Sequence, residues 1–268
     1  VGTPLLLSVR SGGRVSMPGM MDSVLNIGLN DSNVFQLAEA FNDERFALDS
    51  YRRLIQMYSN VVLGVEHERF EAVLANKKRM DNVVSDADFN VDQLNWIINA
   101  YKNTVERFTD SLFPQDPYEQ LTGAIEAVFN SWQNKRAVIY RKINNIPDSW
   151  GTGATIQTMV FGNLNDKSGT GVAFTRNPSN GDRELYGEYL INAQGEDVVA
   201  GIRTPHPISK HSKIEQESLE SKFPKAYKEL LEISTKLENH FKEAQDIEFT
   251  IEKEDIYLLQ TRTAKRTA

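Results

Sequence analysis

The chain has 268 residues, of which 40% are hydrophobic and 25% are charged, and it contains no cysteine. This length allows one large core or two modest lobes. The net charge of −7 is spread over both signs without a long cationic tract, so we expect no nucleic-acid partner. The lack of cysteine excludes disulfides and thiolate catalysis. No run approaches the roughly 18 apolar residues of a membrane span, and no signal-peptide pattern is present, so we expect a cytoplasmic globular protein.

The first residues, Val1 to Pro4, include no initiator methionine and no helix cap, and we interpret the chain as a piece of a longer one. The apolar run Leu5 to Val9 predicts a short buried strand. It ends at Arg10, next to the glycines of Ser11 to Gly13, and Arg14 follows. An arginine beside a glycine-rich loop can clamp a phosphate or be an ordinary surface residue, and the spacing leaves both open.

Residues 32 to 145 have a mostly helical pattern, in which apolar side chains recur at i, i+3, i+4 and i+7. One apolar stripe consists of Tyr51, Leu54, Ile55 and Tyr58, and a second of Trp96, Ile97, Tyr101 and Val105. Stripes at this spacing bury one face of a helix, so we expect these side chains in the core of a helical lobe.

From Gly151 the pattern changes to short β-branched runs separated by turn-forming residues, which predicts a meander of antiparallel strands. The runs are Ala154 to Phe161, Val172 to Thr175 and Leu185 to Ile191. The charged segment Ile208 to Ser221 is predicted to be a surface loop. An amphipathic helix follows, with Pro224 in its first turn. Its apolar positions are Phe223, Tyr227, Leu230, Leu231, Leu237 and Phe241.

Two glycine-rich stretches, Gly151 to Ala154 and Gly169 to Val172, could bring backbone N–H groups close to phosphates. Neither completes the GxGxxG or GxxxxGK[ST] pattern of a phosphate-binding loop. Since glycine is also the usual residue of tight turns, each stretch taken alone favours a hairpin turn.

The stretch from Asp246 to Arg262 predicts a β-hairpin near the end of the chain. Side chains alternate between the two faces of a strand, so Asp246 and Glu248 share one face. Gln260 and Arg262 share a face of the return strand by the same rule. The hairpin therefore carries two carboxylates on one strand and an amide and a guanidinium on the other.

The length of the hairpin loop decides whether these polar side chains meet. A three-residue loop, Lys253 to Asp255, would place Glu248 opposite Gln260 and Asp246 opposite Arg262. A four-residue loop would send each pair to opposite faces. We adopt the three-residue register because it gathers four polar groups in one place.

Such a cluster suits a metal-bound nucleoside triphosphate. Mg²⁺ prefers carboxylate and amide oxygens together with substrate phosphates, and an arginine binds a phosphate through two parallel hydrogen bonds. The alternative is the solvated polar face of an edge hairpin that carries an ordinary ion pair. The spacing alone leaves both interpretations open.

Several runs taken together are more specific than any one of them, because they occur in the order found in the pyruvate phosphate dikinase family. These runs are Ser8 to Gly12, Ser16 to Asn26, Gly169 to Pro178, Leu190 to Asp197 and Leu259 to Arg262. The resemblance spans essentially the whole chain. It implies an ATP-grasp fold, in which two α+β lobes clamp ATP and its metal ions between them.

The resemblance also implies a division of the chain into three segments. Residues 1–30 would be the remnant of an N-terminal ATP lobe with its phosphate-contacting arginine loop. Residues 31–149 would form a mainly helical subdomain. Residues 150–268 would form an antiparallel β lobe with a flap and a metal-binding hairpin. The expected fold class is therefore α+β and ATP-grasp-like.

Roles for individual residues follow from the same resemblance. Arg10 matches the arginine that contacts the nucleotide phosphates. Asp246, Glu248 and Gln260 match the positions around metal and triphosphate. Arg262 matches the arginine associated with the transferred phosphate or with inorganic phosphate.

Further positions match the adenine side and the flap of the family. The strand that reads the adenine edge through its backbone matches Gln157, Thr158, Met159 and Val160. Thr170 and Gly171 match the flap expected to fold over the phosphates. Glu188 and Asp197 match acidic positions on the flap side.

The chemistry implied is transfer of a phosphoryl group from ATP, with Mg²⁺, to a carrier histidine on a separate swivelling domain. That reaction serves the synthesis of phosphoenolpyruvate from pyruvate, ATP and inorganic phosphate on a further barrel domain. The chain's own histidines lack the Thr-Ser-His context of the carrier and show no metal-ligand spacing. They are His67, His206, His211 and His240.

The chain also departs from the family pattern. The upstream glycine-rich segment with its phosphate-contacting lysine is missing, so we expect the isolated chain to be inactive. The parent could be a homo-oligomer. Two alternatives stay open: an ATP-grasp domain of the phosphoenolpyruvate synthase type, and a non-catalytic nucleotide-binding or interaction module.

Overall fold

The computed structural model describes residues 2–201, 203–210 and 217–264 and divides into two compact units, Val1–Met159 and Val160–Ala268. Each unit contains helices and an antiparallel sheet, which confirms the predicted α+β class. Within the described ranges, no helix is both long and apolar enough to cross a membrane.

The first unit is built on a three-stranded sheet of order β2-β1-β3. Its strands are β1 (Leu7–Gly13), β2 (Ser23–Ile27) and β3 (Thr152–Thr158). The predicted β lobe starts at residue 150, but β3 pairs with β1 along its full length, from Leu7 opposite Thr158 to Gly13 opposite Thr152. The third strand therefore belongs to the first unit and not to the meander predicted from its sequence.

Helices occupy most of the chain between β2 and β3, as predicted. They are α1 (Val34–Phe41), α2 (Glu44–Val61), α3 (His67–Asp81), α4 (Val91–Thr109), α5 (Pro117–Asn130) and α6 (Lys135–Ile143). Side-chain caps explain where two of these helices begin. Asp43 caps α2 by accepting a hydrogen bond from the N–H of Phe46 at 2.9 Å, and Asn90 and Gln93 form a capping box on α4. Both sheet and helices lie in one unit, so the predicted 1–30 and 31–149 segments are not separate bodies.

The two predicted apolar stripes are buried with one exception. All four residues of the α2 stripe are in the core, and so are Ile97, Tyr101 and Val105 of α4. Trp96 is wrong as a core prediction, since it is 40% exposed and lies beneath the ammonium of Lys77, 4.9 Å from its ring centroid. Residue 96 precedes Ile97, so it lies roughly 100° round the helix from the buried stripe.

The loop after β1, one of the runs that resembles the dikinase family, is packed into the first unit. Met17 is buried against Trp132 and Ala137. At the end of the loop, the Asp22 carboxylate accepts hydrogen bonds from Arg136 and from the Asn134 side chain. Contacts with residues in and just before α6 thus hold the segment that follows β1.

The second unit is built on a five-stranded antiparallel sheet of order β6-β5-β4-β7-β8. Its strands are β4 (Gly169–Phe174), β5 (Tyr186–Ile191), β6 (His206–Pro207), β7 (Gln245–Glu252) and β8 (Asp255–Thr263). Its helices are α7 (Gly195–Ala200), α8 (Leu219–Lys222) and α9 (Pro224–Phe241). The predicted amphipathic helix is α9, which begins at Pro224 as expected.

Helices α8 and α9 supply the apolar core on one face of this sheet. Phe223, Ala226 and Leu230 pack with strand residues such as Ile247 and Phe249, all of them buried. The sequence assigned Ile208 to Ser221 to a surface loop, and residues 211–216 lie outside the described residues. At its ends the prediction is wrong, because residues 208 and 219 are core members and 219 begins α8.

Candidate functional site

The predicted C-terminal hairpin is present, but its turn is shorter than predicted. Glu252 pairs with Asp255, so the loop contains only Lys253 and Glu254. These two residues have φ values of 50° and 73°. Positive φ at both central positions defines a type I′ turn, whose twist matches that of the flanking strands. The predicted three-residue loop is therefore wrong.

A β-bulge restores the predicted pairing further along the hairpin. Phe249 is opposite Leu258, whereas Glu248 is opposite Gln260, so Leu259 is the extra residue on β8. Beyond the bulge, the register equals that of a three-residue loop. The predicted pairs, Glu248 with Gln260 and residue 246 with residue 262, are confirmed, although two structural features produce them instead of one.

The turn gives a stability prediction. Left-handed backbone costs a residue other than glycine roughly 1–2 kcal/mol, and glycine costs roughly 0.5–1 kcal/mol of additional chain entropy. We expect Glu254→Gly to stabilise the hairpin by about 0.5–1 kcal/mol, seen as slower hydrogen exchange of the β7 and β8 amides. Asp255→Gly is the control, since that strand residue does not have positive φ. Faster exchange in both variants would contradict the turn assignment.

Four polar side chains gather on the sheet face opposite the α9 core. Residues paired directly across an antiparallel ladder share a face, and the observed pairs place Asp246, Glu248, Gln260 and Arg262 together. The Arg262 guanidinium donates to a carboxylate oxygen of Glu248, and its Nη2 atom lies 3.5 Å from the Asp246 Oδ2 atom. The alternating neighbour Ile247 is fully buried on the other face.

The electrostatic setting of the cluster favours a bound cation. Burial raises the pKa of Asp246, the positive charge of Arg262 opposes this rise, and the negative charge of Glu248 adds to it. The net shift is upward. The negative charge of Glu248 is thus one of the causes that disfavour ionisation of Asp246, and a cation bound beside both groups would offset it.

The donor set suits a metal ion that is shared with phosphate. In the described part of the chain, no three His, Cys, Asp or Glu side chains come together as a complete metal cage. Two carboxylates and the Gln260 amide form a smaller oxygen set on one face. Mg²⁺ is usually bound by one or two carboxylates plus substrate phosphates, so an incomplete protein cage fits that ion.

The hairpin tip is fixed by contacts that the sequence analysis missed. Glu252 accepts a hydrogen bond from the Phe161 N–H at 2.7 Å. The Lys253 N–H donates to the Ser168 hydroxyl at 3.1 Å, and the Glu254 N–H donates to the main-chain carbonyl oxygen of residue 167 at 2.9 Å. These partners lie more than eighty residues apart, so no local pattern could reveal them. They hold the turn that sets the register of the polar cluster.

The flap role of Thr170 and Gly171 stays a prediction, although the structure places neither residue in a loop. Both residues lie inside β4, which is paired with β5 on one side and β7 on the other. The Thr170 hydroxyl is buried and donates to the Phe249 carbonyl at 3.1 Å. A Cβ on Gly171 would lie 2.7 Å from the Glu188 carbonyl oxygen, so this glycine permits close strand packing. A flap movement of these two residues would therefore involve the whole sheet.

The two acidic positions predicted beside the flap have different settings. Glu188 is exposed and lies opposite Val172, which in turn lies opposite Glu248, so all three share the open face. Two strand spacings, roughly 10 Å, separate Glu188 from Glu248. Asp197 instead accepts a hydrogen bond from the Gln194 N–H at 2.8 Å at the start of α7. Its observed role is that of a helix cap.

The remaining predicted site residues, apart from Val160, belong to the first unit. Arg10 is half-buried in the central strand β1, opposite Ser23 of β2 and Thr155 of β3. The predicted adenine-reading residues 157 and 158 end β3, and the Met159 N–H donates to the Leu6 carbonyl at 2.9 Å. The chain divides between residues 159 and 160. Residue 159 thus ends the first unit and residue 160 begins the second, and the adenine-reading role of this segment stays a prediction.

Comparison with known proteins gives a consistent result. The family model described as "Pyruvate phosphate dikinase, AMP/ATP-binding domain" matches residues 1–228 and 210–268. Pyruvate, phosphate dikinase of Rhizobium meliloti is 55% identical over 99% of the chain, and that of Clostridium symbiosum is 53% identical over 99%. Chloroplastic pyruvate, phosphate dikinase 1 of Arabidopsis thaliana is 51% identical over 98%.

These alignments cover only part of each relative. The chain spans 30% of the length of the two bacterial dikinases and 26% of the plant enzyme. The family model, in contrast, accounts for both structural units of the chain. The chain belongs to the AMP/ATP-binding domain family of pyruvate phosphate dikinase.

Proposed function

We propose that the chain forms the metal- and phosphate-binding part of an ATP site in a pyruvate phosphate dikinase. The observation that carries this proposal is the grouping of Asp246, Glu248, Gln260 and Arg262 on the open sheet face. Two carboxylates and an amide supply oxygen ligands, and a guanidinium supplies a phosphate partner. The similarity to named dikinases supports the same assignment.

In this proposal each residue has a separate task. Glu248 and Gln260 hold a divalent cation, taken to be Mg²⁺, with Asp246 completing its oxygen shell. Arg262 binds the transferred phosphate or inorganic phosphate. Arg10 contacts the nucleotide phosphates, and the backbone of residues 157–160 binds the adenine edge.

The reaction proposed for the parent protein is phosphorylation of a carrier histidine. That histidine would lie on a swivelling domain outside this chain, as would the barrel that binds pyruvate and phosphoenolpyruvate. Phosphoryl transfer needs little covalent chemistry from the protein, because positioning and charge neutralisation lower most of the barrier. We therefore expect the 268-residue chain to bind nucleotide without turning it over. A cytoplasmic location stays a prediction, since the names of the plant relatives include the word chloroplastic.

Calorimetry with a non-hydrolysable ATP analogue tests the proposal. We expect saturable binding of the analogue in the presence of Mg²⁺, and loss of that binding when EDTA removes the metal. Glu248→Gln should weaken binding, whereas Glu238→Gln should not, although Glu238 also pairs with an arginine, Arg176. Binding that is absent, or that is insensitive to both EDTA and Glu248→Gln, would leave a non-catalytic interaction module as the better interpretation.

A further inference from the structure

Arg262 forms an ion pair with the Glu248 carboxylate, which the proposed metal ion would also need as a ligand. Its direct partner across the ladder is Asp246, yet its closest contact is with Glu248, two residues further along β7 on the same face. The three side chains are only 19%, 24% and 25% exposed, respectively. The guanidinium therefore contacts both carboxylates, and all three groups are largely removed from solvent.

We propose that Arg262 is an internal counter-ion that competes with the divalent cation for Glu248 and turns to the phosphate when the cation binds. Metal binding and phosphate binding would then be coupled through one side chain. This inference rests on the proposed function, since it assumes that the hairpin binds a metal and a phosphate.

The charges make simultaneous occupancy of Glu248 unfavourable. A divalent cation bound to this carboxylate would lie close to the guanidinium of Arg262, and like charges at such distances repel strongly where water is partly excluded. The cation must therefore displace the arginine. Once displaced, the guanidinium leaves carboxylates that the metal has neutralised, and a phosphate is the anion that its planar fork matches best.

The coupling predicts an order of events. A free cation should bind weakly, because it must break the contact between Arg262 and Glu248 without replacing it. A cation that arrives together with a phosphate should bind much better, because the phosphate accepts the released guanidinium. The arginine would thus select the metal–phosphate complex over the free metal ion.

Removal of the arginine charge gives the decisive measurement. Mn²⁺ alone, detected by electron paramagnetic resonance, is titrated into the wild-type chain and into Arg262→Met. We expect Arg262→Met to bind Mn²⁺ roughly tenfold more tightly, because the cation no longer has to displace the guanidinium from Glu248 and is no longer repelled by its charge. Arg176→Met is the matched control, since it removes the same charge from another arginine–glutamate pair of the same unit and should leave Mn²⁺ affinity unchanged.

A second titration measures the coupling itself and does not depend on the methionine variant. Addition of tripolyphosphate should tighten Mn²⁺ binding more in the wild-type chain than in Arg262→Lys, because an ammonium lacks the planar fork of the guanidinium. Circular dichroism verifies that each variant is folded.

The outcomes separate the inference from the proposed function. If Arg262→Met binds Mn²⁺ no more tightly than wild type, while Glu248→Gln abolishes binding, the counter-ion inference is overturned and the metal site stands. Equal tripolyphosphate enhancement in wild type and Arg262→Lys would overturn the coupling. If no folded form of the chain binds Mn²⁺, both the inference and the proposed function fail.

Discussion

Glu248→Gln is expected to slow phosphorylation of the carrier histidine by ATP by about 10²–10³-fold, the usual cost of removing one electrostatic group from a preorganised site. The measurement requires a full-length dikinase that carries this chain as its nucleotide-binding segment. Formation of the phosphohistidine from ATP is followed in a single turnover. Transfer from the phosphohistidine to pyruvate is followed separately and should keep its wild-type rate.

The expected slowing follows from the loss of charge, because glutamine keeps the size of the Glu248 side chain and removes its negative charge. Glu248 lies beside Arg262 and opposite Gln260, so the substitution would both weaken the proposed metal ligand and release the arginine. The backbone pairing on both sides, with Val172 and Gln260, involves no side-chain atom of residue 248 and should persist. The variant therefore reports on chemistry more than on folding.

Glu238→Gln is the matched control for this prediction. Glu238 also contacts an arginine of the second unit, and its pKa is lowered chiefly by its hydrogen bond with Arg176. The substitution makes the same change in charge and breaks the same kind of pair, outside the four-residue polar cluster. Equal slowing by both variants would mean that general electrostatics or stability, and not the hairpin, determines the rate. Slowing of both half-reactions by Glu248→Gln would also count against the assignment.

The hairpin illustrates what the sequence can predict. The alternation that puts Asp246 and Glu248 on one face is a local property of a strand, and it was predicted correctly. The two-residue turn and the bulge at Leu259 were not predicted. The turn is held by hydrogen bonds to Lys167 and Ser168, which are distant in the chain. The predicted pairing still occurs because the turn is one residue shorter than predicted and the bulge adds one residue to β8.

The other errors also have non-local causes. The strand run at residues 152–158 was assigned to the second lobe, yet its partner is β1 at the start of the chain. Thr170 and Gly171 lie in a glycine-containing run that local patterns cannot distinguish from a loop, and only their two neighbouring strands make the run a central strand. Periodicity and family resemblance located the polar cluster. The pairing of distant strands was needed to show that Gly171 is a packing residue inside a strand.

Asp49→Ala is expected to destabilise the first unit by about 3–5 kcal/mol, the usual cost of leaving one member of a buried ion pair without its partner. Asp49 and Arg52 of α2 are only 5% and 3% exposed, and the Arg52 Nε atom donates to an Asp49 oxygen at 2.8 Å. Arg53 donates to the other oxygen at 3.1 Å. A loss of this size is a large share of the roughly 5–15 kcal/mol that stabilises a typical domain.

The first unit can be observed selectively in this experiment. The chain has three tryptophans, Trp96, Trp132 and Trp150, and all of them lie in the first unit. Urea unfolding followed by tryptophan fluorescence therefore reports on the stability of that unit. Glu66→Ala is the control, because Glu66 also pairs with an arginine three residues along the chain, but in an exposed position where the pair contributes only about 0–1 kcal/mol.

The pH dependence gives an independent check on the same pair. Burial alone raises the pKa of Asp49, but the charges of Arg52 and Arg53 outweigh it and hold the pKa well below its ordinary value. A carboxyl group with a lowered folded-state pKa contributes stability above its unfolded pKa of about 4 and loses it as the pH falls towards the folded value. The difference in unfolding free energy between wild type and Asp49→Ala should be constant near neutral pH and shrink below about pH 4. A difference that stays constant at acid pH would mean that lost packing, and not the charge of Asp49, accounts for the destabilisation.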